Sequence, residues 1–316
     1  MQQFFTKLYE ELEKAVSLCE GDYLSLSGGL DSTILAYYLK NKKIKGITII
    51  AKDFVARDLT YSQLVAKKFN IPLELKTVET KDLLTAIEET IKILKVFNDI
   101  EIRNSVVMYL ALNAIKKNGQ TKIITGDGAD ELFAGYNFFL KKNEKELERD
   151  LKRIWEVMHF PTRQIGEALG VDVETPFLNE NIVEFAKTVP TNLLVRQEGE
   201  TKFGKWILRK TFENKIPKTV VWRNKSPMQD GAGTTGLTSL FNILILDDDY
   251  KKRIQQIQKT DQVVIQSKES LHYYEIYQKY FDAPYKLHSS SNKCPNCKFS
   301  VKPNTKFCRM CGSFPI

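Results

Sequence analysis

The chain has 316 residues, 42% hydrophobic and 27% charged, enough for one large domain with a small appendage and ordinary for a globular protein. No stretch approaches the roughly 20 apolar residues that a membrane span needs, and Met1–Glu20 lacks the apolar centre of a signal peptide. No membrane role is therefore expected, and the cytoplasm is the expected compartment.

Residues 1–20 read as an amphipathic N-terminal helix. Tyr23–Leu26 reads as a short buried strand, followed by a Ser/Gly turn and an apolar helix from about Leu30 to Leu39. A second strand is predicted over Lys45–Ala51, a helix over Asp58–Phe69 and a third strand over Leu73–Val78. Helical patterns follow over Lys81–Phe97 and Ile102–Lys117, then a fourth strand over Thr121–Thr125. Strands alternating with helices predict an α/β fold, a doubly wound parallel sheet with helices on both faces. Beyond Lys141 the pattern is mainly helical, with a charged helix over Glu144–Val157 and a further helical stretch over Asp247–Tyr280. Lys286–Asn292, with three consecutive serines, has linker composition. The expected domains are 21–283 as the main body, 284–292 as a linker and 293–316 as a small C-terminal module.

The sharpest local signal is Ser27-Gly28-Gly29-Leu30-Asp31-Ser32, placed after a strand and opening a helix. Paired glycines let backbone approach a ligand, and a helix start offers N–H groups to an anion. Ser27 and Ser32 add hydroxyls. Asp31 would repel a bare phosphate, so it makes sense with a cation between, and Mg²⁺ favours that carboxylate-plus-phosphate ligation. A second Gly-rich turn, Gly126-Asp127-Gly128-Ala129-Asp130-Glu131, follows the fourth strand. Loops at the carboxyl ends of parallel strands gather over one crevice, so Asp130 is expected to share a metal with Asp31. The plainer reading of this turn is a helix cap made by Asp127 or Asp130. Gly199–Lys205 spells the start of a Walker A loop, but Trp206 stands where Ser or Thr is needed; Lys205 is read as a cation aimed at the site.

Four of the five cysteines form Cys294-x-x-Cys297 and Cys308-x-x-Cys311, ten residues apart. Two matched knuckles of thiolates suit tetrahedral Zn²⁺ in a closed structural site, a zinc ribbon. After Ala283 the chain carries six Lys and Arg and no acid, the main source of its net charge of +8. That basic module suits nucleic acid or a protein partner, and equally a folding staple with no partner.

Taken together, SGGLDS resembles the PP-loop of the ATP pyrophosphatase superfamily, and GDGADELFAGY resembles the signature of asparagine synthetases. Ile102–Ser105, Gly170–Asn179, Lys205–Lys210 and Trp222–Gly233 follow in that family's order, so the resemblance covers roughly residues 5–283. It implies an ATP-dependent, AMP- and pyrophosphate-forming ligase that adenylates a small-molecule carboxylate and forms an amide with ammonia or an amine. It also implies roles: Ser27, Gly28, Gly29 and Ser32 on pyrophosphate, Asp31 and Asp130 on Mg²⁺, and Ile47, Ile49 and Gly126 on the nucleoside. Lys225 matches the family's active-site lysine, Lys205 a second phosphate-facing lysine, and Asp172 a residue that manages the amine proton.

Three departures stand out. No cysteine occupies the place of the family's glutaminase nucleophile, so ammonia, a separate glutaminase subunit or a substrate amine is expected to supply nitrogen. Glu174 stands where the family has arginine, which would disfavour a small dianion such as aspartate, and Asp127 replaces a glutamate. A PP-loop enzyme that modifies tRNA, gripping RNA through the ribbon, is the alternative reading.

Overall fold

The computed structural model describes residues 1–224, 227–287, 292–303 and 305–316. The elements run α1 (Gln2–Ser17), β1 (Tyr23–Ser25), α2 (Leu30–Leu39), β2 (Lys45–Ala51), α3 (Asp58–Phe69), β3 (Leu73–Val78), α4 (Thr80–Leu94), α5 (Asp99–Lys117) and β4 (Lys122–Ile124). They continue with α6 (Ala129–Leu132), α7 (Glu144–Val157), α8 (Pro161–Leu169), β5 (Asp172–Glu174), α9 (Glu180–Thr188), α10 (Thr191–Leu194) and the strands β6 (Arg196–Glu198) and β7 (Thr201–Phe203). Helices α11 (Trp206–Phe212), α12 (Lys218–Val221), α13 (Met228–Ala232), α14 (Gly236–Leu244), α15 (Asp247–Asp261), α16 (Lys268–Tyr277) and α17 (Pro284–Leu287) complete the chain.

The main sheet has the order β3-β2-β1-β4-β5. β1 pairs in parallel with β2 and with β4, and β4 in parallel with β5. This is the expected α/β architecture. The strand order reverses between β1 and β4, the topological switch point at which such sheets leave a crevice beyond their carboxyl ends. β2 is buried along six of its seven residues, the pattern of a strand covered on both faces.

The chain divides into two compact units. The first holds 1–50, 57–76 and 111–232. Its core joins Leu24 and Leu26 of the β1 region to Ile34 and Leu35 of α2, Phe177, Trp206 and Phe212. α1 belongs to this core: Leu8, Leu12, Ala15 and Val16 recur on one helical face and are buried. The second unit holds 51–56, 77–110 and 233–316. There α16 packs against α4, α14 and α15, and Phe97 meets the rings of Tyr274 and Tyr277 at 4.9 and 5.4 Å.

Several boundaries differ from expectation for local reasons. The helical stretch expected over Asp247–Tyr280 is two helices, because Gln262 takes φ 58° and ends α15. Val263 and Ile265 then alternate inward while Val264 is exposed, as an extended β-branched run does. β5 and the β6–β7 hairpin were not anticipated: three-residue strands carry too little alternation to be read. The hairpin also disposes of the Walker-like string. Glu198 pairs with Thr201, so Gly199 and Glu200 are its turn, and no phosphate loop forms there.

Candidate functional site

The two Gly-rich loops leave neighbouring strands at the switch point, where Leu24 stands opposite Ile124. In the first loop, Ser27 Oγ and Ser32 Oγ lie 3.2 Å apart, and Ser27 Oγ accepts from the N–H of Gly29 at 3.2 Å. Gly29 caps α2, so the first turn of that helix, carrying Asp31 and Ser32, points its N–H groups into the loop. Gly28 is irreplaceable on steric grounds. Its φ is 70°, and a Cβ would stand 2.3 Å from the backbone of Tyr61. Gly126 brings the second loop against the first, since a Cβ there would lie 3.0 Å from Asp31 Cβ.

The decisive contact is Lys205. Its ammonium lies 2.6 Å from Asp31 Oδ2 and 2.6 Å from Asp130 Oδ1, with the lysine side chain 3% exposed. The two carboxylates of the two loops therefore already share one cation. Burial pulls the Lys205 pKa down, but Asp130 and Asp31 outweigh it and hold it above its usual value. Asp31 Oδ1 is buried without a hydrogen-bond partner among the described residues, leaving acceptor capacity for a further ligand. Two carboxylates from separate loops, one with an unsatisfied oxygen, form a donor set that fits a hard divalent ion.

Space for the lysine comes from the signature after β4. A Cβ on Gly135 would stand 2.0 Å from Asp130 Oδ1 and 2.2 Å from Lys205 Cε. Neither Asp127 nor Asp130 caps the following helix; Gly128 does. Asp127 is half-buried instead, with Oδ2 enclosed and unpartnered among the described residues. Burial pushes its carboxyl above the usual range, against the opposing pull of the Thr162 and Thr125 hydroxyls and Arg163. Glu131 is raised chiefly by burial as well, and it accepts the hydroxyl of Tyr136. Arg209, buried, donates to the carbonyls of Gly204 (2.9 Å), Arg223 (3.0 Å) and Val221. It thereby fixes the segment that leads towards Lys225, a residue that lies outside the described ones.

Not every expected residue joins this site. Asp172 begins β5, exposed and paired in register with Lys122 at the start of β4. That is the amino end of the parallel sheet, opposite to the loops. It lines a shallow groove of about 740 Å³ with Lys122, Arg163 and Glu167. Asp127, in the Gly-Asp-Gly turn after β4, lies at the carboxyl end of the sheet, where the loops are. Glu174 accepts from the backbone N–H groups of Glu20 (2.9 Å) and Gly21 (2.8 Å), so it fastens the entry to β1 and does not face the loops. Ile47 and Ile49 are buried in β2, Ile47 beside Ser25, with their side chains in the protein interior.

The second cluster lies in the other unit. The ligand atoms of Cys294, Cys297, Cys308 and Cys311 all lie within 4.8 Å of one another. Sγ of Cys294 is 3.7 Å from Sγ of Cys311, and that of Cys297 is 3.6 Å from that of Cys308. A disulfide needs about 2.05 Å, whereas the edge of a tetrahedron with bonds of about 2.3 Å is roughly 3.8 Å. The spacing fits a ZnS₄ centre. Both knuckles close alike: Lys298 N–H returns to Cys294 O at 2.9 Å, and Gly312 N–H to Cys308 O at 2.8 Å. The module is fastened within its unit by Arg309 on Glu101 (2.8 and 3.0 Å), Phe97 N–H on Met310 O (3.0 Å) and Val264 N–H on Asn296 O (2.7 Å).

Comparison with known proteins identifies the family. The glutamine-hydrolysing asparagine synthetases of Mesocricetus auratus and Mus musculus are each 31% identical over 233 residues, covering 69% of this chain and 41% of theirs. That of Arabidopsis thaliana is 28% identical over 237 residues. The chain thus spans about two fifths of the length of these relatives. Among solved structures, an NMN synthetase from Francisella tularensis matches with a TM-score of 0.41 and 13% identity, covering 92% of this chain and 98% of that one. The family model described as asparagine synthase matches residues 9–159 and 141–291, and the chain belongs to that family.

Proposed function

We propose that the chain is an ATP-dependent, AMP-forming ligase that activates a carboxylate and transfers its acyl group to ammonia or an amine. The observation that carries this reading is the convergence of Asp31 and Asp130 on one ammonium at the β1/β4 switch point. In the first step a substrate carboxylate oxygen attacks the α-phosphorus of ATP, and the bond to the bridging oxygen of pyrophosphate breaks. Ser27, Gly28, Gly29 and Ser32 receive that pyrophosphate with hydroxyls and helix-start N–H groups. Asp31 and Asp130 would hold Mg²⁺, which supplies charge neutralisation to the phosphates. Lys205 adds a cation beside it, and Lys225 a second one on the strength of its motif. In the second step the amine nitrogen attacks the acyl carbon, AMP leaves, and the nitrogen's proton passes to Asp127, which replaces Asp172 in that role. Gly126 borders the nucleoside through the loop, and Ile47 and Ile49 through β2.

Nitrogen is proposed to arrive as ammonia, as a substrate amine or from a separate glutaminase subunit. Burial, with Glu174 nearby, pushes the Cys19 thiol up to about 12, and the other four sulfurs are gathered into one cluster. No cysteine is thereby poised as a glutaminase nucleophile among the described residues. The same facts weigh against a sulfur-transferring tRNA enzyme. Cys294, Cys297, Cys308 and Cys311 are proposed to hold Zn²⁺, in keeping with a reducing cytoplasm. A nucleic acid or protein at this module remains a partner to test, although Arg309 is engaged with Glu101.

The test is ATP–pyrophosphate exchange across a panel of carboxylates, aspartate first. Exchange with one acid is expected, and Asp31→Ala should abolish it. An Asp31→Ala variant that exchanges like the wild type would overturn the site.

A further inference from the structure

Lys205 is held where it is by three separate features. Its φ of 53° lies in the left-handed region that side-chain-bearing residues avoid. Its N–H donates to Phe133 O at 3.0 Å, tying that unusual turn to the second loop. Gly135 withholds the Cβ that would collide with its Cε. The result is a buried ammonium at 2.6 Å from each of two carboxylates carried by different loops. Arg209 is buried nearby, but it donates to the carbonyls of Gly204, Val221 and Arg223 and stays out of that pair.

We propose that the Lys205 ammonium is the resident counter-ion of the Asp31–Asp130 pair, and that a divalent cation enters there only together with a polyphosphate that takes the lysine over. The proposal rests on the ligase reading above. A divalent ion arriving alone would have to separate the ammonium from both carboxylates and leave it buried without an anion, which is heavily penalised. A polyphosphate removes that penalty. The ammonium passes to phosphate oxygens, the metal takes the carboxylates, and no charge is left unmatched. Metal and nucleotide therefore bind as one unit, each raising the affinity of the other by the same factor. The free protein meanwhile keeps two acidic loops together without a metal. This explains why a buried lysine and a left-handed backbone coexist at one position.

The experiment is a titration of the zinc-loaded protein with Mn²⁺, with unbound Mn²⁺ read by electron paramagnetic resonance, alone and with saturating pyrophosphate. Wild type should bind free Mn²⁺ at least about tenfold more weakly alone than with pyrophosphate. Lys205→Met keeps the hydrocarbon stem and removes the charge. It should bind Mn²⁺ alone at least about tenfold more tightly than wild type, with a smaller gain from pyrophosphate. Lys205→Arg, which keeps the charge, should stay weak. Should Lys205→Met fail to fold, Lys205→Gln takes its place, and the wild-type comparison stands by itself. Equal Mn²⁺ affinity in wild type with and without pyrophosphate, or no gain in the neutral variants, overturns the swap. If those variants gain affinity while no carboxylate supports exchange, the counter-ion role stands and the ligase reading falls.

Discussion

The first unit and the second each offer a place for a cation, and they are built on opposite plans. The acidic pair draws its parts from far along the chain, with Asp31, Asp130 and Lys205 on three different segments, and the protein supplies its own positive charge. The sulfur cluster draws its four ligands from residues 294–311 alone and closes on itself. One arrangement suits a ligand that comes and goes; the other suits an ion that stays. The contrast also concerns what each cluster holds up. The acid pair is braced by Gly135, Phe133 and Arg209 around it, whereas the sulfur module is itself a brace, fastened to Phe97, Glu101 and Val264.

The largest expected effect follows from that difference. Removing zinc should destabilise the second unit severely, because structural Zn²⁺ contributes about 10–16 kcal/mol of binding free energy to small sulfur sites. Cys297→Ser should lose stoichiometric zinc, measured by elemental analysis, and lower the melting temperature. Co²⁺ substituted into wild type should give the absorption of a tetrahedral thiolate centre. Retention of zinc and of thermal stability in the variant would end the comparison. Asp31→Ala should instead fold normally and lose exchange activity by about a hundredfold or more. Gly135→Ala comes next. Its Cβ must displace Asp130 or Lys205, and overpacking of this kind costs about 1–3 kcal/mol. Denaturant melts should show that loss together with a fall in exchange.

The same contrast decides what could be read in the sequence. The sulfur cluster was fully legible, since both knuckles are local and their spacing alone brings the thiols together. The parallel sheet was legible through β2, α3 and β3, where buried runs alternate with amphipathic helices. The acid pair was legible as two motifs with Lys205 aimed at them; that the lysine itself bridges both carboxylates depends on the left-handed turn at Lys205 and the space over Gly135, neither of which has a spacing rule. Asp172 shows the limit of a motif, which gives order along the chain and not which end of a strand a residue occupies. Three-residue β5 puts Asp172 at the amino end, and register with Lys122 settles it. Glu174 misled for a related reason: its partners are backbone N–H groups, which no side-chain pattern announces.

Asp127 sharpens the distinction between holding a site and running it. Its carboxyl is raised by burial, so the proton is bound more tightly in the folded chain than in the unfolded one. Stability from this group is complete below the unfolded carboxylate pKa and is lost as pH rises through the folded value. Asp127→Asn, neutral throughout, should therefore match wild type in melting temperature at acidic pH and exceed it at neutral pH. Amide formation should behave in the opposite sense. In wild type it should fall as pH drops through the raised pKa, and in the variant it should be low at every pH. A variant less stable than wild type at neutral pH would show that the Asp127 charge is compensated by its surroundings.

The smallest effect separates the module's metal from its fastening. Arg309 grips Glu101 with two nitrogens, but the arginine is more than a third exposed, so the pair contributes about 1 kcal/mol or less. Arg309→Ala should keep full zinc content and full exchange activity while shifting the melting temperature slightly downward. Raising the salt concentration should narrow the gap between the two proteins, because the lost pair is screened only in the wild type. A loss of zinc in Arg309→Ala would mean that the knuckles need their seat on Glu101 to close. The sulfur cluster would then depend on distant residues as much as the acid pair does.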